Sequence, residues 1–235
     1  MNCIKDKVAY ITGGSKGIGY GIAHALLEAG MKVAISGRDQ EAIEKAKIDL
    51  GNQNVLAITS DVRNFEDEQQ AVKSIIETFG KLDVVIANAG LGKFAPVDEM
   101  SLEDWNVMID TNLTGVFHTL KAAVEQLKQN KGHYISISSL AGTNFFANGA
   151  GYNASKFGVV GFTQAAMLDL RNYDVKCTTI MPGSVTSFFN DHTPNEEDSW
   201  KIQPEDIGQL VVDLLKMNAN VLPSKIEVRP TKTSL

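Results

Sequence analysis

Short apolar runs alternate with longer amphipathic stretches along most of the chain. Val8-Ala9-Tyr10-Ile11 is typical of a buried strand, and the apolar residues that follow, such as Ile18 and Ile22, recur at the spacing of one helix face. The pattern predicts strands over 7–11, 32–36, 54–59, 82–87, 132–137, 175–181 and 225–228. It predicts helices over 18–29, 40–50, 65–79, 102–129, 152–172 and 205–217.

This alternation predicts the fold class. A repeated strand–helix order favours a parallel sheet that is covered by helices on both faces and joined by right-handed crossovers. We therefore expect an α/β, doubly wound architecture with a central, seven-stranded parallel sheet. In such folds ligands bind beyond the carboxyl ends of the strands, so candidate functional residues should come directly after strands.

Composition narrows the function classes. The 235 residues are 43% hydrophobic and 21% charged, which is enough apolar material for one large core. Because no linker or low-complexity tract divides the chain, we expect a single domain over 1–235. The net charge of -6 and the pI near 5.3 argue against a nucleic-acid partner, which requires a basic surface, and favour a small-molecule substrate.

Other residue types exclude further classes. Cys3 and Cys177 lack a C-x-x-C partner, so neither a disulfide framework nor a thiolate metal site is expected. The histidines are scattered without the spacing of metal ligands, and we expect no catalytic metal. Residues 1–7 lack a signal-peptide core, and no apolar run is long enough to cross a bilayer. A cytoplasmic protein without a membrane partner is therefore expected.

The segment Gly13-Gly14-Ser15-Lys16-Gly17-Ile18-Gly19 joins the first predicted strand to the first helix. Its glycines permit positive φ and a close backbone approach, while the free N–H groups at the helix start attract an anion. We interpret the segment as a cradle for the phosphates of a nucleotide. An ordinary glycine-rich turn is the alternative.

Ser36-Gly37-Arg38-Asp39 follows the second strand and bears on which nucleotide binds. An acidic residue there would bond the ribose hydroxyls of NAD, whereas an arginine accommodates the 2′-phosphate of NADP. Arg38, with Lys16 on the other side, therefore favours NADP(H) over NAD(H), and Asp39 is expected to cap the next helix. The alternative is that Arg38 and Lys16 are ordinary solvated charges.

Small and polar residues follow the third and fourth strands. Asp61 can offer a carboxylate to the adenine amino group, and Val62 can offer an apolar contact to the adenine ring. Asn88-Ala89-Gly90 combines small residues with an amide at a point where the backbone would approach a cofactor closely. Taken alone, each segment is also compatible with an ordinary loop.

Tyr152 and Lys156 stand four residues apart and therefore share a helix face. A phenol with a pKa of about 10 is a weak acid–base catalyst at neutral pH, but an adjacent ammonium lowers that pKa. Ser138 or Ser139, after the fifth strand, can hold a substrate oxygen. Asn112 in an apolar helical stretch suggests a distortion that holds a water near Lys156. The alternatives are a surface Tyr–Lys pair and a capping or solvent-facing asparagine.

Together these motifs resemble the short-chain dehydrogenase/reductase family over nearly the whole chain, in particular its 3-oxoacyl carrier protein reductase or carbonyl reductase branches. The matching segments are Thr12 to Gly19, Asp61, Asn88-Ala89-Gly90, Asn112, Ser139, Tyr152, Lys156 and Pro182-Gly183-Ser184-Val185-Thr186. The resemblance implies a single Rossmann-like domain, a nicotinamide cofactor and a catalytic set of Asn112, Ser139, Tyr152 and Lys156. The family's serine lies thirteen residues before its tyrosine, which selects Ser139 over Ser138.

The resemblance also implies residue roles. Tyr152 would protonate a carbonyl oxygen as hydride arrives from the nicotinamide, and Lys156 would tune Tyr152 and bond the nicotinamide ribose. Ser139 would hold the substrate oxygen, and Asn112 would anchor a relay water. The remaining cofactor contacts would come from Pro182, Gly183, Val185 and Thr186. The implied function is an NADP-dependent oxidoreductase acting on CH–OH groups, in ketone or aldehyde reduction or the reverse oxidation. A catalytically silent NADP(H)-sensing or interaction protein is the alternative.

Three segments are expected to choose the substrate: 93–94, 144–146 and 187–203. The last is rich in aromatic residues and is interpreted as a mobile flap over an apolar substrate, with Glu196, Glu197 and Asp198 facing water. The carboxyl-terminal residues 223–230 lack the glycine-rich ending of 3-oxoacyl carrier protein reductases, which weakens the case for an acyl-carrier substrate and a tail-built tetramer. A homodimer or homotetramer is expected, with a dimer contact through helices 102–129 and 152–172.

Overall fold

The computed structural model describes residues 3–51 and 53–233 and contains one parallel sheet. Its strands are β1 (Val8–Thr12), β2 (Lys32–Gly37), β3 (Val55–Thr59), β4 (Val84–Ala87), β5 (His133–Ile137), β6 (Lys176–Pro182) and β7 (Lys225–Val228). They lie in the order β3-β2-β1-β4-β5-β6-β7. The predicted α/β fold with a seven-stranded central sheet is confirmed, and the strand bounds differ from the predicted ones by one or two residues at most.

Helices cover both faces of this sheet. They are α1 (Gly17–Glu28), α2 (Gln40–Asp49), α3 (Phe65–Phe79), α4 (Leu102–Ile109), α5 (Gly115–Asn130), α6 (Ala150–Leu170) and α7 (Pro204–Lys216). The continuous helix predicted over 102–129 is wrong, because a π-helical turn at Asp110–Thr114 separates α4 from α5. This turn contains Asn112, where a distortion was expected.

The five inner strands β1, β2, β4, β5 and β6 bury side chains on both faces, because alternate side chains point to opposite sides of a sheet that helices cover twice. The edge strands β3 and β7 are partly exposed. On one side Ile11 and Ile35 pack in a core with α1, α2 and α7. On the other side Val85 and Tyr134 pack in a core with α3, α5 and α6. The near-continuous apolar runs in the sequence are the direct consequence of this double burial.

The strand order reverses direction at β1, which pairs with β2 on one side and β4 on the other. Chain connections leave toward opposite faces at such a point, and they open a crevice at the carboxyl ends of the strands. A cleft of about 640 Å³ lies there. Within residues 3–51 and 53–233, no helix combines the length and the apolar character that a membrane crossing needs.

Helices α1 and α7 approach each other at glycines. A Cβ on Gly208 of α7 would lie 2.5 Å from the carbonyl oxygen of Gly21 in α1, and one on Gly21 would lie 2.6 Å from the backbone of Pro204. Both distances are shorter than any ordinary contact, so larger residues would push the helices apart.

We expect Gly208→Val to lower the free energy of unfolding by about 1–3 kcal/mol, because overpacking forces the helices to separate. Gly161→Ala is the matched control. Gly161 lies in α6 with open space around its Cα, and alanine there should stabilise the helix by roughly 1 kcal/mol. Urea unfolding measures both, and equal stabilities for the two variants would contradict the packing argument.

Candidate active site

The turn between β1 and α1 depends on glycine. Gly13 has φ +66° and Gly17 has φ +57°, in the left-handed region that other residues rarely adopt. A Cβ on Gly19 would lie 2.4 Å from the carbonyl oxygen of Gly13, so the helix start can fold against the turn only without a side chain. The turn therefore leaves a backbone cradle at the carboxyl end of β1.

Asn88, directly after β4, holds this turn in place. Its Nδ2 donates hydrogen bonds to the carbonyl oxygens of Thr12 and Gly13, at 2.8 and 3.0 Å. The hydroxyl oxygen of Thr12 accepts in return from the backbone N–H groups of Asn88 and Ala89. The amide of Asn88 is thus engaged in joining the two loops.

The cleft brings most of the predicted cofactor residues together. Its lining includes Gly13, Ser15, Lys16, Gly17, Ile18, Arg38, Asp61, Val62, Asn88, Ala89, Gly90, Tyr152 and Lys156. Seven predicted site residues are not part of that lining, namely Gly19, Asn112, Ser139, Pro182, Gly183, Val185 and Thr186. After β6 the wall is formed instead by Ser187, Phe188 and Phe189. The roles of all these residues stay predictions.

Charges at the ends of β2 and β3 favour an anion. Asp39 caps α2 through a 3.1 Å hydrogen bond from the Ala42 N–H, as expected. Asp61 is held by Arg63, whose Nε lies 3.0 Å from both carboxylate oxygens, and this bond together with the charge of Arg38 lowers the pKa of Asp61. Because Arg63 already neutralises Asp61, the exposed guanidinium of Arg38 is open to another anion.

Lys156 is buried at the other end of the cleft. It is 5% exposed, and its Nζ donates a 3.0 Å hydrogen bond to the carbonyl oxygen of Ile137 at the end of β5. Burial lowers the pKa of Lys156 to about 8. The same Nζ lies 5.7 Å from the centre of the Tyr152 ring, so the ammonium and the phenol face one space.

The acidity of Tyr152 differs from the expectation. Burial raises the pKa of Tyr152 to about 12, and a hydrogen bond with Ser139 opposes that rise. In the protein by itself, burial therefore outweighs the lowering of the Tyr152 pKa that was expected from Lys156. Since desolvation disfavours the phenolate, further positive charge near the ring is needed to stabilise it.

The two candidate serines have different partners. Ser138 is buried and donates a 2.9 Å hydrogen bond to the main-chain carbonyl of Lys156, which ties β5 to α6. Ser139 accepts from the N–H of Ala141 at 3.1 Å and bonds the phenol of Tyr152. The hydroxyl beside the phenol is thus that of Ser139.

Asn112 is fully buried, and its side-chain amide is engaged. Its Oδ1 accepts from the Leu91 N–H at 2.9 Å, and its Nδ2 donates to the Leu91 carbonyl and to the Ser155 hydroxyl. Ser155 donates in turn to the carbonyl of Tyr152 at 2.8 Å. Asn112 therefore fixes the loop after β4 against the turn of α6 that carries Tyr152 and Ser155.

Aromatic side chains surround the phenol. The rings of Phe94 and Phe189 each have centres 5.5 Å from that of Tyr152, and Phe146 lies 5.7 Å from Phe94. These residues come from the three segments that were expected to choose the substrate. The reacting end of the cleft is accordingly apolar.

The segment expected to form a flap is fastened at its base. The backbone N–H of Thr186 donates to the Ile202 carbonyl, and the Ile202 N–H donates to the Ser184 carbonyl, which pairs the two ends of the segment. Gln203 adds a side-chain hydrogen bond to the Thr186 hydroxyl at 3.1 Å. The flap is therefore a closed loop.

The burial of Asp198 differs from what the sequence predicts for the flap. It was expected to face water with Glu196 and Glu197, but it is only 3% exposed. Its carboxylate contacts His192 at 2.6 Å and also forms an ion pair with Lys201, and these bonds lower the pKa of Asp198 to about 2. A carboxylate that is bonded to an imidazole and to a lysine ammonium is stable in a half-enclosed loop, whereas Glu196 and Glu197 remain exposed.

The sequence reasoning missed several residues of the cleft. Thr111 lines it, and its buried hydroxyl has no hydrogen-bond partner among the described residues. Ser60 also lines it, and Arg63 shields Asp61. Ser60 directly follows β3, and this position could have indicated that it belongs to the site. The orientation of Thr111 depends on the π-helical turn, which the spacing of apolar residues in the sequence does not predict.

These features fit a dinucleotide. At Gly13 and Gly17 the backbone has a positive φ, so a residue with a Cβ would be strained there. A Cβ on Gly90 would point toward Oδ1 of Asn112 and Nζ of Lys156, so a side chain at this position would intrude into the cleft. The orphaned hydroxyl of Thr111 offers a further polar contact. The residues present can thus hold phosphates at one end and a nicotinamide ring at the other.

Known proteins share the sequence and the fold. The profile of the family described as short chain dehydrogenase matches residues 7–198. An uncharacterized oxidoreductase of Staphylococcus aureus (strain MW2) is 34% identical, over 98% of this chain and 100% of that protein. An uncharacterized oxidoreductase of Staphylococcus saprophyticus is also 34% identical, over 97% of this chain and 98% of that protein.

Solved structures agree with these relatives. An alcohol dehydrogenase from the archaeon Thermococcus sibiricus, complexed with 5-hydroxy-NADP, has a TM-score of 0.91 and 32% identity, covering 98% of this chain and 99% of that one. A 3-ketoacyl-(acyl-carrier-protein) reductase from Brucella melitensis, complexed with NADH, has the same fold, with a TM-score of 0.89, 24% identity and coverage of 97% and 98%. The chain belongs to the short-chain dehydrogenase/reductase family of oxidoreductases.

Proposed function

We propose that this protein is an NADP(H)-dependent oxidoreductase that interconverts a ketone or aldehyde with the corresponding alcohol. One observation carries the proposal: the buried Tyr152 and Lys156 open into the same cleft as the glycine cradle. The proposed unit is one domain over 1–235, with 187–203 as its substrate flap.

The chain's own residues supply proton transfer and orientation. Tyr152 gives its phenolic proton to the substrate oxygen, and Ser139 donates a second hydrogen bond to that oxygen as charge develops on it. Lys156 keeps a positive charge beside the phenol and bonds the cofactor's ribose. Asn112 holds Leu91 and Ser155, and through them the geometry of Tyr152. A bound nicotinamide supplies or accepts the hydride.

Local charge supports NADP(H) over NAD(H). The structures named above were solved with an NADP derivative in one case and with NADH in the other. In this chain Arg63 is already bonded to Asp61, whereas Lys16 and Arg38 both line the cleft. Among the described residues no carboxylate forms an ion pair with Arg38, so a 2′-phosphate beside it would meet an unneutralised cation.

The apolar wall supports a hydrophobic carbonyl substrate. Phe94, Phe146 and Phe189 surround the phenol, and aromatic walls bind apolar groups through area and ring-edge contacts. Ser139 is the polar group placed to fix the orientation of such a substrate. The physiological substrate is therefore a small molecule whose carbonyl carries apolar groups.

Association into a homodimer or homotetramer is supported by the outer helices. Leu102 is 81% exposed on α4, Phe117 is 45% exposed on α5 and Leu168 is 53% exposed on α6. Exposed apolar side chains on neighbouring helices are typical of surfaces that a second subunit covers.

Tyr152→Phe should reduce kcat by roughly 10²- to 10⁴-fold with an unchanged cofactor Kd, because it removes only the transferable proton. Tyr173→Phe, which alters an exposed tyrosine, is the control. NADPH absorbance across aldehydes and ketones measures turnover, and fluorescence titration measures binding. Full activity in the variant would refute the assignment, and tight NADPH binding without any turnover in the wild type would favour the silent alternative.

The rate of reduction should fall as the pH rises past about 8. Tyr152, with a pKa of about 12, stays protonated there, but Lys156 loses its proton because burial lowers its pKa to about 8. The measurement is kcat/KM for reduction in a pH series that brackets this value. A profile that stays flat for roughly two pH units above it would show that the ammonium charge is not required.

Arg38→Asp should weaken NADPH binding by roughly ten- to a hundredfold, because a charge-assisted bond to the 2′-phosphate is lost and a repulsion replaces it. NADH binding should change little. Lys45→Asp, at an exposed position on α2, makes the same charge change away from the cleft. Equal losses for NADPH and NADH in the Arg38 variant would overturn the phosphate assignment.

A further inference from the structure

A buried carboxyl group lies behind the cleft. Glu68 is on the sheet-facing side of α3 and is fully buried, although its neighbours on that side are the apolar residues Ala71, Val72 and Ile75. An apolar residue would complete this helix face. A charged residue type is almost never fully buried unless specific partners require it there.

Hydrogen bonds connect Glu68 to two strands and a loop. Its Oε1 accepts from the Tyr10 hydroxyl at 2.9 Å and from the Ser60 hydroxyl at 2.7 Å. The Tyr10 oxygen also lies 3.0 Å from the Ser36 hydroxyl, and since Tyr10 donates to Glu68, Ser36 donates to Tyr10. One carboxyl group thus joins β1, the end of β2 and the loop after β3.

Two members of this chain of hydrogen bonds face the cleft. Ser36 and Ser60 both line it. Ser36 immediately precedes Gly37 and Arg38, and Ser60 immediately precedes Asp61 and Val62, which are the segments proposed to hold the adenosine and its phosphate. Glu68 therefore sets the distance between the two walls of that half of the cleft.

The two oxygens of the Glu68 carboxyl group have different surroundings. Oε1 accepts the hydrogen bonds from Tyr10 and Ser60, whereas Oε2 accepts none from the part of the chain that the structure describes. The Thr119 hydroxyl donates its proton to the Gly115 carbonyl at 2.9 Å. Burial raises the pKa of Glu68, and the hydrogen bonds with Ser60 and Tyr10 oppose that rise without cancelling it.

The titratable groups around Glu68 differ in their effect. Tyr10 and Tyr134 are phenols whose pKa values burial raises, so they stay uncharged. His118 on α5 contacts the Val62 carbonyl through Nδ1 at 2.9 Å and opposes the rise in the pKa of Glu68. A protonated Glu68 would place no negative charge behind a site that binds phosphate.

We propose that Glu68 is a positioning residue for the cofactor: through Tyr10, Ser36 and Ser60 it fixes the two segments that hold the adenosine end. This inference rests on the proposed function in one respect, the binding of a dinucleotide in this cleft. Glu68 touches neither cofactor nor substrate, so it should act on cofactor affinity and leave the chemical step unchanged.

The first test compares Glu68→Gln with Glu68→Leu by fluorescence titration with NADPH. Glutamine keeps an oxygen acceptor and supplies an N–H donor, so its Kd should stay within about threefold of wild type. Leucine fills the space without hydrogen bonds, and its Kd should rise roughly tenfold or more while kcat at saturating cofactor changes by less than about twofold. Glu77→Leu, at an exposed position of α3, is the matched control.

Tyr10→Phe provides a second route if the leucine variant does not fold. It removes one hydroxyl from the middle of the chain of hydrogen bonds and should also raise the Kd. An unchanged Kd in every folded variant that breaks this chain, or equal losses in the glutamine and leucine variants, would overturn the proposal.

Amide hydrogen exchange tests the inference without any cofactor. Exchange should accelerate in segments 36–38 and 60–62 of the leucine variant and not in the glutamine variant. A wild type that binds neither NADPH nor NADH would refute the proposed function, whereas protection that is unchanged in the leucine variant would refute the role of Glu68. The two failures are thus distinguishable.

The protonation state has its own readout in urea unfolding. A carboxyl group with a raised pKa in the folded state binds a proton more tightly there than in the unfolded chain. Its contribution is therefore present at low pH and is lost as the pH rises above the ordinary value of 4.5. The unfolding midpoint of wild type should fall relative to Glu68→Gln over that rise, and a constant difference would show that folding does not raise the pKa of Glu68.

Discussion

All seven strands run in the same direction, and the candidate site depends on this constraint. Parallel pairing brings every carboxyl end to one edge, so residues far apart in the sequence meet there without any special contact between them. Thr12, Asn88 and Ser138 each follow or end a different strand of this sheet. The hydrogen bonds between Asn88 and the glycine turn, and between Ser138 and α6, then fix distances that the strand order has already made short.

Tyr152 and Lys156 illustrate how burial at such an edge changes the pKa values of two neighbouring side chains. Taking Tyr152 and Lys156 out of water disfavours the charged form of each, which raises the pKa of the phenol and lowers that of the ammonium. The protein alone therefore keeps Tyr152 protonated, which suits a proton donor. For the reverse direction the phenolate must form, and the positive ring of an oxidised nicotinamide is the charge that would stabilise it. In the proposed reaction, reduction would use the protonated phenol, and oxidation would use a phenolate that the positively charged cofactor stabilises.

The fold and the outline of the site could be predicted because their signals are local. Apolar periodicity located each strand, and the spacing of Gly13 and Gly17 or of Tyr152 and Lys156 reflects geometry within one element. The π-helical turn and the network of Glu68 could not be predicted, because partners such as Leu91 and Tyr10 lie far away in sequence. The burial of Asp198 could not be predicted either, because it depends on how an irregular loop folds back onto His192 and Lys201. The sequence does contain one signal for Glu68, because this residue interrupts the apolar face of α3. Only the fold shows that Tyr10 and Ser60 donate hydrogen bonds to it.

The pairing of Val185 with Ile202 has a mechanical consequence for access to the site. A segment whose two ends are joined is an Ω-loop, and it cannot swing away as an arm hinged at one end. The paired ends and the contact of Asp198 with His192 hold much of the segment in place, so bending is left to the part near its start that carries Phe188 and Phe189. Entry would then require a small displacement of two rings, and the size of the entering molecule, more than its charge, would determine how far the rings must move.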